Sequence, residues 1–176
     1  EGAMEKVLAV AKRLGMKGLR VGMVTGDDVH PRLDELRTKG VALANVDTGE
    51  PFDAIKDRVL FATAYIGAAP IVEALRQGAD VVVTGRVNDA AVWLAPMIHE
   101  FGWSMEDYDR LAAGTLLGHL MECSAQCTGG NWSGDWWNIP IMERMGYPIA
   151  EVSEDGSAIL TKAPDTGGRV SFDTVK

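Results

Sequence analysis

Cysteine is scarce in this chain: Cys123 and Cys127 are its only two, four positions apart. Two cysteines make no disulfide framework, and a reducing cytosol is the default compartment. No run of about 18 apolar residues exists, so nothing in the sequence reads as a membrane span. Positive charge is short as well. The net charge is −8, and residues 41–176 carry nine Lys and Arg against nineteen Asp and Glu. Without a basic stripe, nucleic-acid binding is excluded as the expected role. No GxGxxG or Walker pattern follows any strand, so a dinucleotide or ATP is not supported and no cofactor is implied. Neither an internal repeat nor a signal peptide is visible. The chain opens on Glu1 and closes on Ser171–Lys176, which reads as a helix just past its cap. The expectation is a single α/β domain over residues 1–176, a piece of a longer protein.

What the sequence does contain is a series of strand–turn–helix units. In ADVVVTGRVNDAAVWLA (79–95), Val81–Val83 reads as a strand buried on both faces. Thr84-Gly85-Arg86 turns the chain, and a helix starts near Asn88-Asp89. Leu19–Val24 reads as an earlier strand, ending in Thr25-Gly26-Asp27-Asp28 before a helix through Leu36. Val59–Tyr65 reads as another, followed by Ile66-Gly67 and a helix from Pro70 to Gly78. Val41–Val46 is a candidate short strand. Residues 3–14 form an amphipathic helix. Pro96 is expected to kink or break the helix after Asn88. Ser104–Asp107 has capping-box spacing ahead of a helix from about Tyr108 to Gln126, in which Gly114 and Gly118 would let another backbone approach closely. Ile139–Met145 is expected to be a short helix. Asp155-Gly156 marks a hairpin between 150–152 and 157–160. The fold class is therefore α/β: a mostly parallel open sheet with flanking helices, plus a C-terminal β-hairpin.

Three of these turns, at Thr25–Asp28, Tyr65–Gly67 and Thr84–Arg86, should share the carboxyl edge of the sheet, where ligands bind in such folds. Each residue also has a structural reading. Asn88 caps a helix, Asp89 favours its positive end, and Asp27 and Asp28 do the same for the helix that follows them. Arg86 either clamps an anion bidentately or serves an internal salt bridge. His119, Glu122 and Cys123 fall at i, i+3 and i+4, one helical face that Cys127 extends. That face suits catalysis, ligand contact or a metal-dependent lyase or hydratase, but a third and fourth metal ligand cannot be named, so no metal is assigned. Trp132, Trp136 and Trp137 cover either an apolar ligand or a subunit interface. His30 and His99 read as surface or packing residues.

The segments TGDD, YIGAAPIVEALRQGADVVVTGRVNDAAVWLAPMIHEFGW, RLAAGTLLGHLMECSAQCTGG and GYPIAEVSEDGSAILTKAPDTGG resemble the acyclic terpene utilisation (AtuA-like) family over most of residues 17–176. The resemblance implies a cytoplasmic protein linked to catabolism of branched terpenoid acids through their coenzyme A thioesters. It implies no particular reaction and brings no catalytic residues with it. Family members are longer, with a Gly-rich segment ahead of this stretch. The candidate set therefore rests on position and chemistry. Asp27, Asp89 and His119 are the candidates for acid/base work. Thr25, Gly26, Asp28, Thr84, Gly85, Arg86, Asn88, Glu122, Thr128, Gly129 and Asn131 are the candidates for substrate contact. The expected ligand is a branched acyl or hydroxy acid, and the expected assembly is a homo-oligomer or a complex with a partner carboxylase or lyase subunit.

Overall fold

Val81–Thr84 forms strand β2 and pairs in parallel with β1, Val21–Val24, in the register Val21–Val81 to Val24–Thr84. A computed structural model describes residues 2–175. It is an α/β structure with five α-helices: α1 (Gly2–Arg13), α2 (Leu33–Thr38), α3 (Ala69–Arg76), α4 (Ala91–Phe101) and α5 (Tyr108–Glu122). The parallel sheet has two strands among the described residues, and β3 (Pro148–Val152) and β4 (Ala158–Lys162) form a separate antiparallel hairpin. Asp155 fixes the hairpin turn by accepting from the Ser157 backbone N–H at 2.9 Å. Among the described residues no helix is long and apolar enough to cross a membrane.

Two expected strands are absent. Residues 41–46 form no ladder, and 59–65 run extended with one antiparallel bridge, Asp28–Thr63. The reason is where the second segment lies. It crosses beyond the ends of β1 and β2 instead of running beside them, so it pairs with turns. Val29 N–H donates to Ala62 O (3.0 Å), and Ala64 N–H donates to Asp27 O (2.8 Å). β-propensity says only that a residue suits a pleated surface; the partner edge is a non-local matter.

The core lies where α3 and α4 meet the sheet and α5. Ile71, Val72, Ala91, Ala95, Ile98, Trp103 and Leu117 are buried together with Val24 of β1. Pro96 does not break α4, which continues to Phe101. Pro96 forfeits one helical hydrogen bond, and Ala95, Met97 and Ile98 on either side of it are buried. Gly102, at φ 62°, ends α4 in the left-handed conformation.

Gly114 and Gly118 do bring a second backbone close. A Cβ on Gly118 would lie 2.7 Å from Ala90 O, and one on Gly114 would strike Leu94. Thus α5 seats directly on the start of α4. Its cap is Asp107, whose Oδ1 accepts from Arg110 N–H (3.3 Å). Ser104 instead closes a local turn with Glu106, so the expected box sits four residues ahead of the helix proper. The helix ends at Glu122, followed by a 3₁₀ segment over Ser124–Thr128, so Cys127 does not continue the face of Cys123. In place of the expected helix at 139–145 stands one 3₁₀ turn, Met142–Arg144, with another, Trp136–Asn138, just ahead of it. Residues 171–174 make turns, and no helix begins there.

Candidate functional site

The turn after β2 is organised by a carboxylate from the turn after β1. Arg86 N–H donates to Asp27 Oδ2 at 2.7 Å. The Asp27 side chain fills the space where a Cβ on Gly85 would stand, so a side chain there would push the carboxylate off its bond to the Arg86 N–H. The Arg86 backbone N–H draws the Asp27 carboxyl below its usual range, and the backbone N–H groups of Asp27 and Asp28 add to this. Asp27 thereby braces the second turn through the Arg86 backbone.

The third segment is tied to the same place. Ile66 N–H donates to Arg86 O (3.2 Å) and Asn88 N–H to Ile66 O (2.8 Å), which makes the parallel bridge Ile66–Val87. All three turns therefore meet beyond the carboxyl ends of β1 and β2. Asn88 turns the chain into α4: its Oδ1 accepts from Ala90 N–H at 3.1 Å.

From this platform Arg86 reaches outward. Its guanidinium stands 5.5 Å from the ring centre of Tyr65 and 3.6 Å from Asp89 Oδ1. Both ion-pair partners are about half exposed (53% and 51%), so the pair is loose and contributes little to stability. An open concavity of about 450 Å³ lies here, lined by Thr84, Gly85, Arg86, Val87, Asp89, Val92 and Glu122. Five of those seven residues are sequence candidates. Glu122 arrives from α5 because Gly118 lets that helix close on Ala90.

Next to it, Cys123 Sγ donates to Glu122 Oε2 at 2.9 Å. This bond, with burial and the Asp89 charge, pushes the Cys123 thiol upward and keeps it protonated. A thiol so held is a poor nucleophile. Burial likewise raises the Cys127 thiol. Among the described residues no three of His, Cys, Asp and Glu gather into a group that could hold a metal ion.

Other candidates lie outside the lining of this concavity. His119 is exposed on α5, one turn before Glu122. Thr25 borders a different groove, along β1. Gly26 takes φ 106° in the turn, and Asp28 Oδ1 accepts from His30 N–H (3.1 Å), a local turn contact. Thr128 is fully buried; its hydroxyl donates within the protein, toward Gly146 O (2.6 Å) and Ala125 O (3.0 Å). Gly129 is buried beneath Ile139, and Asn131 is exposed. The sequence reading missed Tyr65, Val87 and Val92. Tyr65 begins one of the three turns named as converging, so its position carried the signal.

No curated protein and no solved structure matches this chain significantly. The family model described as acyclic terpene utilisation family protein AtuA matches residues 1–176, and the chain belongs to that family.

Proposed function

We propose that this chain is an enzyme, or the core of one, that works in the cytoplasm on a branched acyl or hydroxy acid, free or as a coenzyme A thioester. The observation that carries the reading is the half-exposed Arg86 guanidinium, set on a braced turn at the mouth of a concavity with Asp89, Glu122 and two valines. Arg86 holds the anionic group in the bidentate manner its planar fork allows. Its contact with Asp89 is long enough, at 3.6 Å, for an incoming carboxylate to compete. Val87 and Val92 offer an apolar wall to a branched chain. Asp89 takes or gives the proton, with His119 as the other candidate, and Glu122 meets the polar end of the substrate. Asp27 and Gly85 act one step back, as positioning residues that hold the Arg86 backbone.

The test is calorimetric titration of the full-length protein with branched 3-hydroxy acids and their coenzyme A thioesters. Arg86→Ala should weaken binding at least about tenfold, the value of a lost charged hydrogen bond, with the melting temperature unchanged. Unaltered affinity in that variant removes Arg86 from the reading.

A second reading, a binding subunit for a carboxylase or lyase partner, draws on the exposed Trp136 and Trp137, stacked edge to face at 5.9 Å. Turnover by the isolated protein favours the enzyme. A stable complex without turnover favours the subunit.

A further inference from the structure

Tyr65 stands beside Arg86 because the backbone puts it there. The bonds Ile66 N–H to Arg86 O (3.2 Å) and Asn88 N–H to Ile66 O (2.8 Å) pair residue 66 with residue 87 in parallel. Side chains alternate along extended segments, so the two residues one step back, Tyr65 and Arg86, turn the same way. Val87 is buried and Ile66 packs against the same core. Tyr65 and Arg86 therefore both point outward. Asp27 closes the arrangement from the other side. Its carbonyl accepts from Ala64 N–H (2.8 Å) and its carboxylate from Arg86 N–H (2.7 Å). One aspartate thus ties down Arg86 and the residue before Tyr65.

This placement adds little to the stability of the fold. Tyr65 is 73% exposed and the Arg86 side chain about half exposed. A cation over an aromatic face is a weak contact where water reaches it. What the contact does is restrain the guanidinium. Arginine is long and has many rotamers, and a ligand that must order it loses affinity. Arg86 Cζ lies over the Tyr65 ring, 5.5 Å from its centre, and Nη1 stands 3.6 Å from Asp89 Oδ1. A hydrogen-bonding partner would restrain the guanidinium by occupying its N–H groups. The ring acts through its face and occupies none of them.

We propose that Tyr65 is a positioning residue for anion capture: its ring holds the Arg86 guanidinium in place before the ligand arrives and leaves the N–H fork free for a carboxylate. The role rests on the reading of Arg86 as the group that holds the anion. It belongs to the ring and not to the hydroxyl, so phenylalanine should serve at this position and an aliphatic side chain should not.

Two measurements on the full-length protein test this. The first needs no ligand: the NMR order parameter of the Arg86 Nε–Hε bond. Tyr65→Phe should preserve it, and Tyr65→Leu should lower it by at least about 0.2. The second is calorimetric titration with 3-hydroxy-3-methylbutyrate, a small branched hydroxy acid. Tyr65→Leu should weaken binding about three- to tenfold, the effect of one long side chain ordered on binding, while Tyr65→Phe should bind like the unaltered chain. In an Arg86→Ala background Tyr65→Leu should weaken binding no further, because the ring acts only through the guanidinium. Melting temperatures should stay constant throughout. An Arg86 order parameter indifferent to Tyr65→Leu overturns the proposal, whatever the acid does. An affinity that Tyr65→Leu leaves unaltered also overturns it, as does equal weakening by Tyr65→Phe, since the hydroxyl then makes the contact. If the unaltered chain binds no acid, the enzyme reading loses that ligand, and the order parameter alone decides for or against Tyr65.

Discussion

Residues 66–122 and residues 34–62 hold their shape by opposite means. In the first, α3, α4 and α5 bury apolar side chains against one another, and Ala95 and Ile98 have no exposed surface at all. In the second, Val46 is 99% exposed and Leu60 88% exposed, and no core forms. Charges organise that region instead. Lys56 Nζ reaches Asp34 at 2.6 Å, Arg37 reaches Asp53 at 2.7 Å, and Arg37 also stands over the Phe52 ring. Burial scales with area and is neither screened by ions nor titrated, whereas exposed ion pairs are both. The difference teaches that one chain can contain a region set by packing and a region set by solution conditions.

The largest effect should come from breaking the packed half. Ile98→Ala leaves a cavity in a fully enclosed position and should cost about 2–5 kcal/mol in denaturant unfolding. Next is Gly118→Val. Its new Cβ meets backbone atoms of Ala90, which cannot swing aside, so α5 must lift from α4 at a cost of about 1–3 kcal/mol. Because Glu122 rides on α5, this variant should also open the concavity, and ligand titration should show weaker binding than the loss of stability alone explains.

The smallest effect sharpens the other side. Glu35 accepts from Arg32 and Lys39, which pull its carboxyl down to about 2, with the Arg32 bond the larger cause. Its unfolded pKa is higher, near the usual 4.5. The unfolded chain therefore binds the proton first. The contribution of Glu35 is complete above about pH 4.5 and is lost as pH falls toward about 2. Urea midpoints across that window should fall less steeply for Glu35→Gln than for the unaltered chain. The decrement from Ile98→Ala should stay constant over the same range. A pH-dependent decrement at Ile98, or a slope that Glu35→Gln leaves untouched, removes the distinction between the two regions.

Local chemistry made much of the packed region and of the hairpin legible. Val81–Val83, Pro70 at the start of α3, the small pair Gly114 and Gly118, and, in the hairpin, Asp155-Gly156 each act through neighbours in sequence or through a simple steric rule. Val59–Tyr65 misled because its composition suits a strand while its position, across the strand ends, depends on contacts with Asp27 and Arg86. Among the site residues, Arg86 and Asp89 followed from the strand–turn–helix pattern. Asp27 was visible as a charge, but its bond to a backbone group 59 residues away was not. Thr128 looked available in a Gly-rich loop, and only the fold shows its hydroxyl directed toward Gly146 and Ala125. Pro96 shows the converse: a local signal for a break inside a helix that continues to Phe101, with buried residues on either side.

The Asp27–Gly85 contact has a consequence for how this sequence can vary. A side chain at position 85 displaces the Asp27 carboxylate, and a shorter residue at 27 leaves the Arg86 N–H without its acceptor. Gly85→Ala should therefore cost less stability beside Asp27→Gly than in the unaltered chain, a coupling that a double-mutant cycle reads. TGDD and TGR, far apart in the chain, thus act as one structural unit.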